Sequence, residues 1–117
     1  MLSAKLLDHF QNPRNVGELP PPAQTVEVMN PACGDILRLS VRWDASRAAE
    51  VRYKVRGCTA SIGVGSALAE WMEGKTRTQL ASAKATDIEA LVEELIPESK
   101  HAAVLATDAL KALLRTR

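Results

Sequence analysis

Aromatic residues are scarce in this chain: one phenylalanine, one tyrosine and two tryptophans serve 117 residues. The core must therefore be aliphatic, built largely from Leu, Val and Ala. Two cysteines, Cys33 and Cys58, are too few for a secreted disulfide framework. An excess of either charge is missing too; the formal net charge of +1 leaves no bulk field that would mark nucleic acid or a membrane surface as partner. No apolar stretch approaches bilayer-spanning length. The first residues carry Lys5, Asp8 and His9 and lack the apolar run of a signal peptide. With its thiols expected to be reduced, the protein is expected in the cytoplasm. There is no internal repeat, no low-complexity tract and no Cys-x-x-Cys pair. No nucleophile–base pair, phosphate-binding glycine loop or carboxylate dyad stands out, so the expectation is a protein that is not an enzyme. The length suits one domain over residues 1–117.

What is present alternates and then turns helical. Ser3 can cap a short helix with an apolar face of Leu2, Leu6, Leu7 and Phe10, stopped by Pro13. His9, near its C-terminal end, reads as a surface or capping residue. Strands are predicted over 24–29, 36–43 and 50–56. Leu37, Leu39, Val41 and Trp43 share one face of the second; Val51, Tyr53 and Val55 point inward from the third. The spacing predicts an antiparallel meander. Its outer face would carry Arg38, Arg42, Arg52, Lys54 and Arg56. No aromatic residue interleaves that basic set, so it reads as a solvated or protein-docking face, not a nucleic-acid reader. A helix with a stripe of Val64, Leu68, Trp71 and Met72 follows Cys58 and ends at Gly74. Gly63 and Gly65 within it point to close packing. A weak helical segment spans 78–83, and Thr86-Asp87-Ile88-Glu89 fits a capping box. A last helix runs from about Ser99 to Arg115. The fold class is α+β, a three-stranded antiparallel sheet against about four to five helices.

Chemistry-bearing residues fall at element ends. Asn30-Pro31-Ala32-Cys33-Gly34-Asp35 joins the first two strands, and its Pro and Gly shape a tight turn. That turn presents a soft thiolate and a hard carboxylate two positions apart. Taken alone, it fits a structural turn with a partly buried Cys equally well. Cys58 lies where the third strand passes into a helix, whose first N–H groups favour an anion. His101 lies in the first turn of the last helix, where the positive helix end favours a neutral imidazole able to bind a metal, although taken alone a His there reads as a surface residue. Cys33, Asp35, Cys58 and His101 supply four donors, the number a tetrahedral zinc or an iron–sulfur centre wants. A Cys58/His101 thiol catalyst would leave the Cys33-Gly34-Asp35 element without a role.

Several segments carry a resemblance. They are His9-Phe10-Gln11-Asn12-Pro13-Arg14-Asn15-Val16-Gly17, Asn30-Pro31-Ala32-Cys33-Gly34-Asp35, Gly57-Cys58-Thr59-Ala60-Ser61, Glu70-Trp71-Met72-Glu73-Gly74-Lys75, and Lys100-His101 with Val104-Leu105-Ala106-Thr107-Asp108-Ala109-Leu110. Together they resemble the U-type iron–sulfur cluster assembly scaffolds, meaning IscU and the N-terminal domain of NifU. The resemblance implies a sheet packed against helices, with a cluster site at one end of the domain. It implies that Cys33, Asp35 and Cys58 answer to the first Cys, the Asp and the second Cys of the family site, and His101 to the nearby His. It also implies a cysteine desulfurase and recipient apo-proteins as partners. Two departures stand out. The third family Cys, which follows the His and is implicated in accepting sulfur, is Ala102 here. The chaperone-docking motif Leu-Pro-Pro-Val-Lys reads Ile96-Pro97-Glu98-Ser99-Lys100, so docking of the usual chaperone is not expected.

The expectation is thus a scaffold or carrier that binds a [2Fe–2S] cluster or a single iron or other metal ion through Cys33, Asp35, Cys58 and His101. The alternative is a structural or regulatory paralogue that holds zinc there and docks a desulfurase without assembling clusters. No nucleic-acid or membrane partner is expected. Oligomeric state stays open, a homodimer included, because a second chain could supply missing ligands.

Overall fold

A computed structural model describes residues 2–31 and 34–115. The elements run α1 (Ala4–Gln11), β1 (Gln24–Met29), β2 (Ile36–Asp44), β3 (Arg47–Arg56), α2 (Thr59–Met72), α3 (Arg77–Ala81), α4 (Ala85–Ala90), a 3-10 turn (Pro97–Ser99) and α5 (His101–Arg115). The strands form one antiparallel sheet in the order β1-β2-β3. This is the predicted α+β class, with a three-stranded meander and five helices.

Alternation along the strands produces a one-sided sheet. Leu37, Leu39, Val41, Val51 and Tyr53 are buried against α2 and α5, joined by Val64, Leu68, Met72, Leu105, Leu110 and Leu113. Trp43 continues the core-facing row of β2 but is only partly buried. A register shift between Arg42 and Trp43 intervenes, as a β-bulge does. Trp43 sits at the margin of the core, donates from Nε1 to Gln24 Oε1 at 2.8 Å and lies under the Arg77 guanidinium at 4.1 Å. The same shift lets β3 begin at Arg47, three residues earlier than alternation suggests, across the tight turn Ala45-Ser46.

The outer row of basic residues is largely paired. Arg38 binds Glu18 at 2.8 Å and Glu27 at 3.1 Å; Arg42 binds Glu50 at 2.9 Å; Arg52 reaches Glu50 and Glu73. Alternate charges across strands account for most of the stripe without any ligand. The free edge of β3 is also covered. Val16 bridges Tyr53 and Thr76 bridges Arg47, so both halves of the exposed ladder find partners.

The helical half corrects several boundaries. α3 starts after Thr76, whose hydroxyl accepts from Gln79 N while the Gln79 side chain accepts from Thr76 N. α4 starts after Lys84, with Asp87 accepting the Lys84 N–H at 2.9 Å, not at the predicted Thr86–Glu89 box. Glu89 is drawn elsewhere: it accepts from Leu95 N and from Lys100 Nζ, each at 2.8 Å. The glycines of α2 mark close approaches, as expected. A Cβ on Gly63 would stand 3.1 Å from the Leu6 carbonyl oxygen in α1, and one on Gly65 would stand 2.8 Å from the Tyr53 ring.

His9 is not a surface residue. It is 8% exposed, wedged between α1 and α2, with Nδ1 2.8 Å from Ser66 Oγ and 3.1 Å from an Arg14 guanidinium nitrogen. Burial, then the Arg14 charge, hold its pKa below the ordinary imidazole value, against the opposing pull of Glu70 and Asp8. A depressed histidine pKa means that the unfolded chain binds the extra proton more readily. Its contribution is therefore complete above about pH 6.5, the ordinary value, and is lost as pH falls below it. Thermal unfolding between pH 7.5 and 5.5 should show the midpoint falling with pH, and His9→Gln should flatten that slope. Equal slopes in the two proteins would refute this account of His9.

Candidate metal centre

Three chain reversals meet at one end of the sheet. The β1–β2 connection is closed by Asn30 N–H donating to Asp35 O at 2.8 Å, one rung beyond the Met29–Ile36 pair. Gly34 donates to Asn30 O and holds φ +79°, a left-handed conformation that glycine adopts without Cβ cost. Asp35 thus stands immediately before β2. Since Ile36 pairs with Arg56, the next residue pair outward is Asp35 and Gly57.

Gly57 is where the carboxylate fits. A Cβ there would lie 2.5 Å from Asp35 Cγ and 2.8 Å from each carboxylate oxygen. The absent side chain leaves the space that Asp35 fills, and Asp35 is 8% exposed as a result. Its Oδ2 accepts from Ser61 Oγ at 2.7 Å and from Cys58 N at 3.4 Å.

Cys58 occupies the N-cap of α2 in an extended conformation, but its side chain makes no capping hydrogen bond. The exposed thiol instead lies 3.4 Å from His101 Nε2 and 3.5 Å from Ser61 Oγ. His101 opens α5. Its Nδ1 is 3.0 Å from the Glu98 carbonyl oxygen, which can only accept, so the Nδ1–H tautomer is the one that bonds. Nε2 is then left with its lone pair facing the thiol and Asp35 Oδ2, the latter at 3.5 Å. A backbone carbonyl fixing the far ring nitrogen is the usual support of a ligating histidine.

The donor atoms of Asp35, Cys58 and His101 lie within 4.8 Å of one another. In a tetrahedral site with ligands at about 2.0–2.3 Å, donors are separated by roughly 3.3–3.8 Å. The observed 3.4 Å and 3.5 Å edges match that spacing. Sulfur, nitrogen and oxygen donors in one cluster suit zinc or iron. Cys33, the fourth predicted donor, lies outside the described residues. Ala102 is 2% exposed and follows His101 in α5. Of the residues around the donors, sequence reasoning gave no role to Gly57, Ser61 or the Glu98 carbonyl. Ser61 had one signal: it sits three residues after Cys58, on the first turn of the helix that Cys58 caps.

The NifU-like N-terminal domain model matches residues 1–116. This chain belongs to that family. It is 40% identical over 119 residues to the iron–sulfur cluster assembly scaffold protein IscU of Azotobacter vinelandii, covering 97% of this chain and 91% of that protein. It is 38% identical over 116 residues to the protein of the same name from Escherichia coli, covering 96% and 90%. It is 45% identical over 108 residues to the bifunctional protein NifU/MnmA of Rubrobacter xylanophilus, of which it spans 22%. Its fold is shared with the crystal structure of a NifU-like protein (N-terminal) from Brucella abortus at a TM-score of 0.78 and 15% identity, covering 96% of this chain and 90% of that one. Among the described residues of this NifU-like chain, no helix is long and apolar enough to cross a membrane.

Because Gly57 and Asp35 are packed against each other, Gly57→Ala should force the carboxylate out or strain β3. The expected cost is about 1–3 kcal/mol in denaturant unfolding of the metal-free protein. An unchanged midpoint would show that the carboxylate does not depend on that space.

Proposed function

We propose that this protein is an iron–sulfur cluster assembly scaffold or carrier, with Asp35, Cys58 and His101 holding the cargo and Cys33 completing the donor set. The single observation behind this reading is the convergence of three chemically different donors from three separate chain reversals. The cargo is a [2Fe–2S] cluster or an iron ion, for which mixed thiolate and imidazole ligation is workable. The site reaches solvent at Cys58, which suits cargo that must be taken up and passed on. A cysteine desulfurase is the proposed sulfur donor, and apo-proteins are the recipients.

Within this reading, the chain's own residues bind and orient. Glu98 fixes the imidazole, Gly57 admits the carboxylate, and the Cys58 thiol makes no capping bond at the helix N-terminus but faces His101 and Ser61. The segment 96–100 has structural duties here: Glu98 O holds His101, and Lys100 pairs with Glu89. That weighs against its serving as a chaperone-docking motif.

A second reading is supported by the 3.4 Å and 3.5 Å donor spacings, which suit a single tetrahedral ion. It is a zinc-holding paralogue that docks a desulfurase without building clusters. Anaerobic reconstitution with iron and sulfide separates the two. A scaffold gains visible charge-transfer absorption that disappears in Cys33→Ala and Cys58→Ala. Ala102→Cys, which restores a third thiolate beside His101, should raise cluster occupancy. A colourless protein that instead retains one zinc per chain on purification would reject the scaffold reading.

A further inference from the structure

Ser61 touches two of the three candidate donor residues. The residue is 3% exposed. The hydroxyl donates to Asp35 Oδ2 at 2.7 Å and lies 3.5 Å from Cys58 Sγ. Asp35 Oδ2 is also the oxygen that stands 3.5 Å from His101 Nε2. One hydroxyl therefore touches one donor residue and orients a second toward the third.

The bond is not the one a serine in a helix's first turn ordinarily makes. Such a residue bonds nearby backbone groups. Ser61 bonds a carboxylate from another element, 26 positions away in sequence. A carboxylate torsion is broad and roughly two-fold, so burial alone does not choose its direction. A short hydrogen bond to an ionised group does, because it is roughly twice as strong as a neutral one. The hydroxyl has one proton to give and lone pairs to accept with. Its proton goes to Oδ2, and a lone pair faces Cys58 Sγ, whose single proton is shared between Ser61 Oγ and His101 Nε2 as acceptors.

We propose that Ser61 is a positioning residue of this site: it aims Asp35 Oδ2 at the point shared with His101 and Cys58, and thereby sets ion affinity and coordination. The inference rests on the reading of Asp35, Cys58 and His101 as an ion-binding set. It assigns Ser61 no bond to the ion and no part in proton transfer.

The test uses reduced, metal-free full-length protein titrated anaerobically with zinc against a chelator, and with cobalt(II) as a spectroscopic probe. Wild type is compared with Ser61→Ala, Asp35→Ala and the double variant. Ser61→Ala is expected to weaken zinc binding by about 10–100-fold, the range found when partners of metal ligands are removed. Its cobalt visible bands should shift while the near-ultraviolet thiolate charge-transfer band persists, because Cys58 still binds. Adding Ser61→Ala to Asp35→Ala should cost nothing further, since the hydroxyl has then lost the group it orients. Wild-type affinity and spectrum in Ser61→Ala, or additive losses in the double variant, would overturn the assignment. If Ser61→Ala does not fold, the comparison of Asp35→Ala with the double variant decides it on the same terms. A wild-type protein that binds neither zinc nor cobalt overturns the underlying reading of the site, and the role of Ser61 with it.

Discussion

The carboxylate of Asp35 is the constraint around which this end of the molecule is arranged. It is nearly enclosed, in space that exists because residue 57 has no Cβ. Burying an ionisable group is costly unless its oxygens find donors. Here the Ser61 hydroxyl and the Cys58 amide supply them, and both belong to the start of α2. The turn before β2 and the junction after β3 are thereby locked to each other. His101 then completes the set from a third direction, with its own ring fixed by a backbone carbonyl. Asp35 and His101 are thus each held by a group outside the candidate donor set, Ser61 for one and the Glu98 carbonyl for the other.

The rest of the fold makes that convergence rigid. An antiparallel meander places the end of β1, the start of β2 and the end of β3 side by side at one rim. Two long helices then cover a single face of the sheet. α2 leaves directly from that rim, and α5 begins at it. Rigidity comes from the interior: aliphatic side chains around Tyr53 fill the space between layers, and glycines in α2 allow close approach to α1 and to the Tyr53 ring. The outer face contributes charge pairing but no ligand chemistry, since most of its arginines are already matched by glutamates.

Much of the sheet could be read from the chain alone, because a period of two in Leu37, Leu39 and Val41 has one physical explanation. Trp43 keeps that face, while alternation does not carry the register shift beside it, which skips Ala49 in β3. Helix starts were harder. Thr76 and Lys84, not Thr86, precede α3 and α4, because Glu89 is engaged by Leu95 and Lys100 from across a loop. His9 likewise departs from its local pattern. Its place near a short helix end suggested solvent, whereas α2 packs over it and Ser66 meets its ring.

By itself, the sequence determined the class of the fold, the donor types at Asp35, Cys58 and His101, and the family signature those positions carry. Local pattern and residue chemistry are enough for that, since period, turn residues and ligand softness are properties of short segments. Only the tertiary structure decided that the three donors face one point, that Gly57 makes room for one of them, and that Ser61 orients it. Those facts depend on distances between residues from 22 positions apart, Asp35 and Gly57, to 66 apart, Asp35 and His101. Such distances are set by strand register and helix packing, which no short segment encodes.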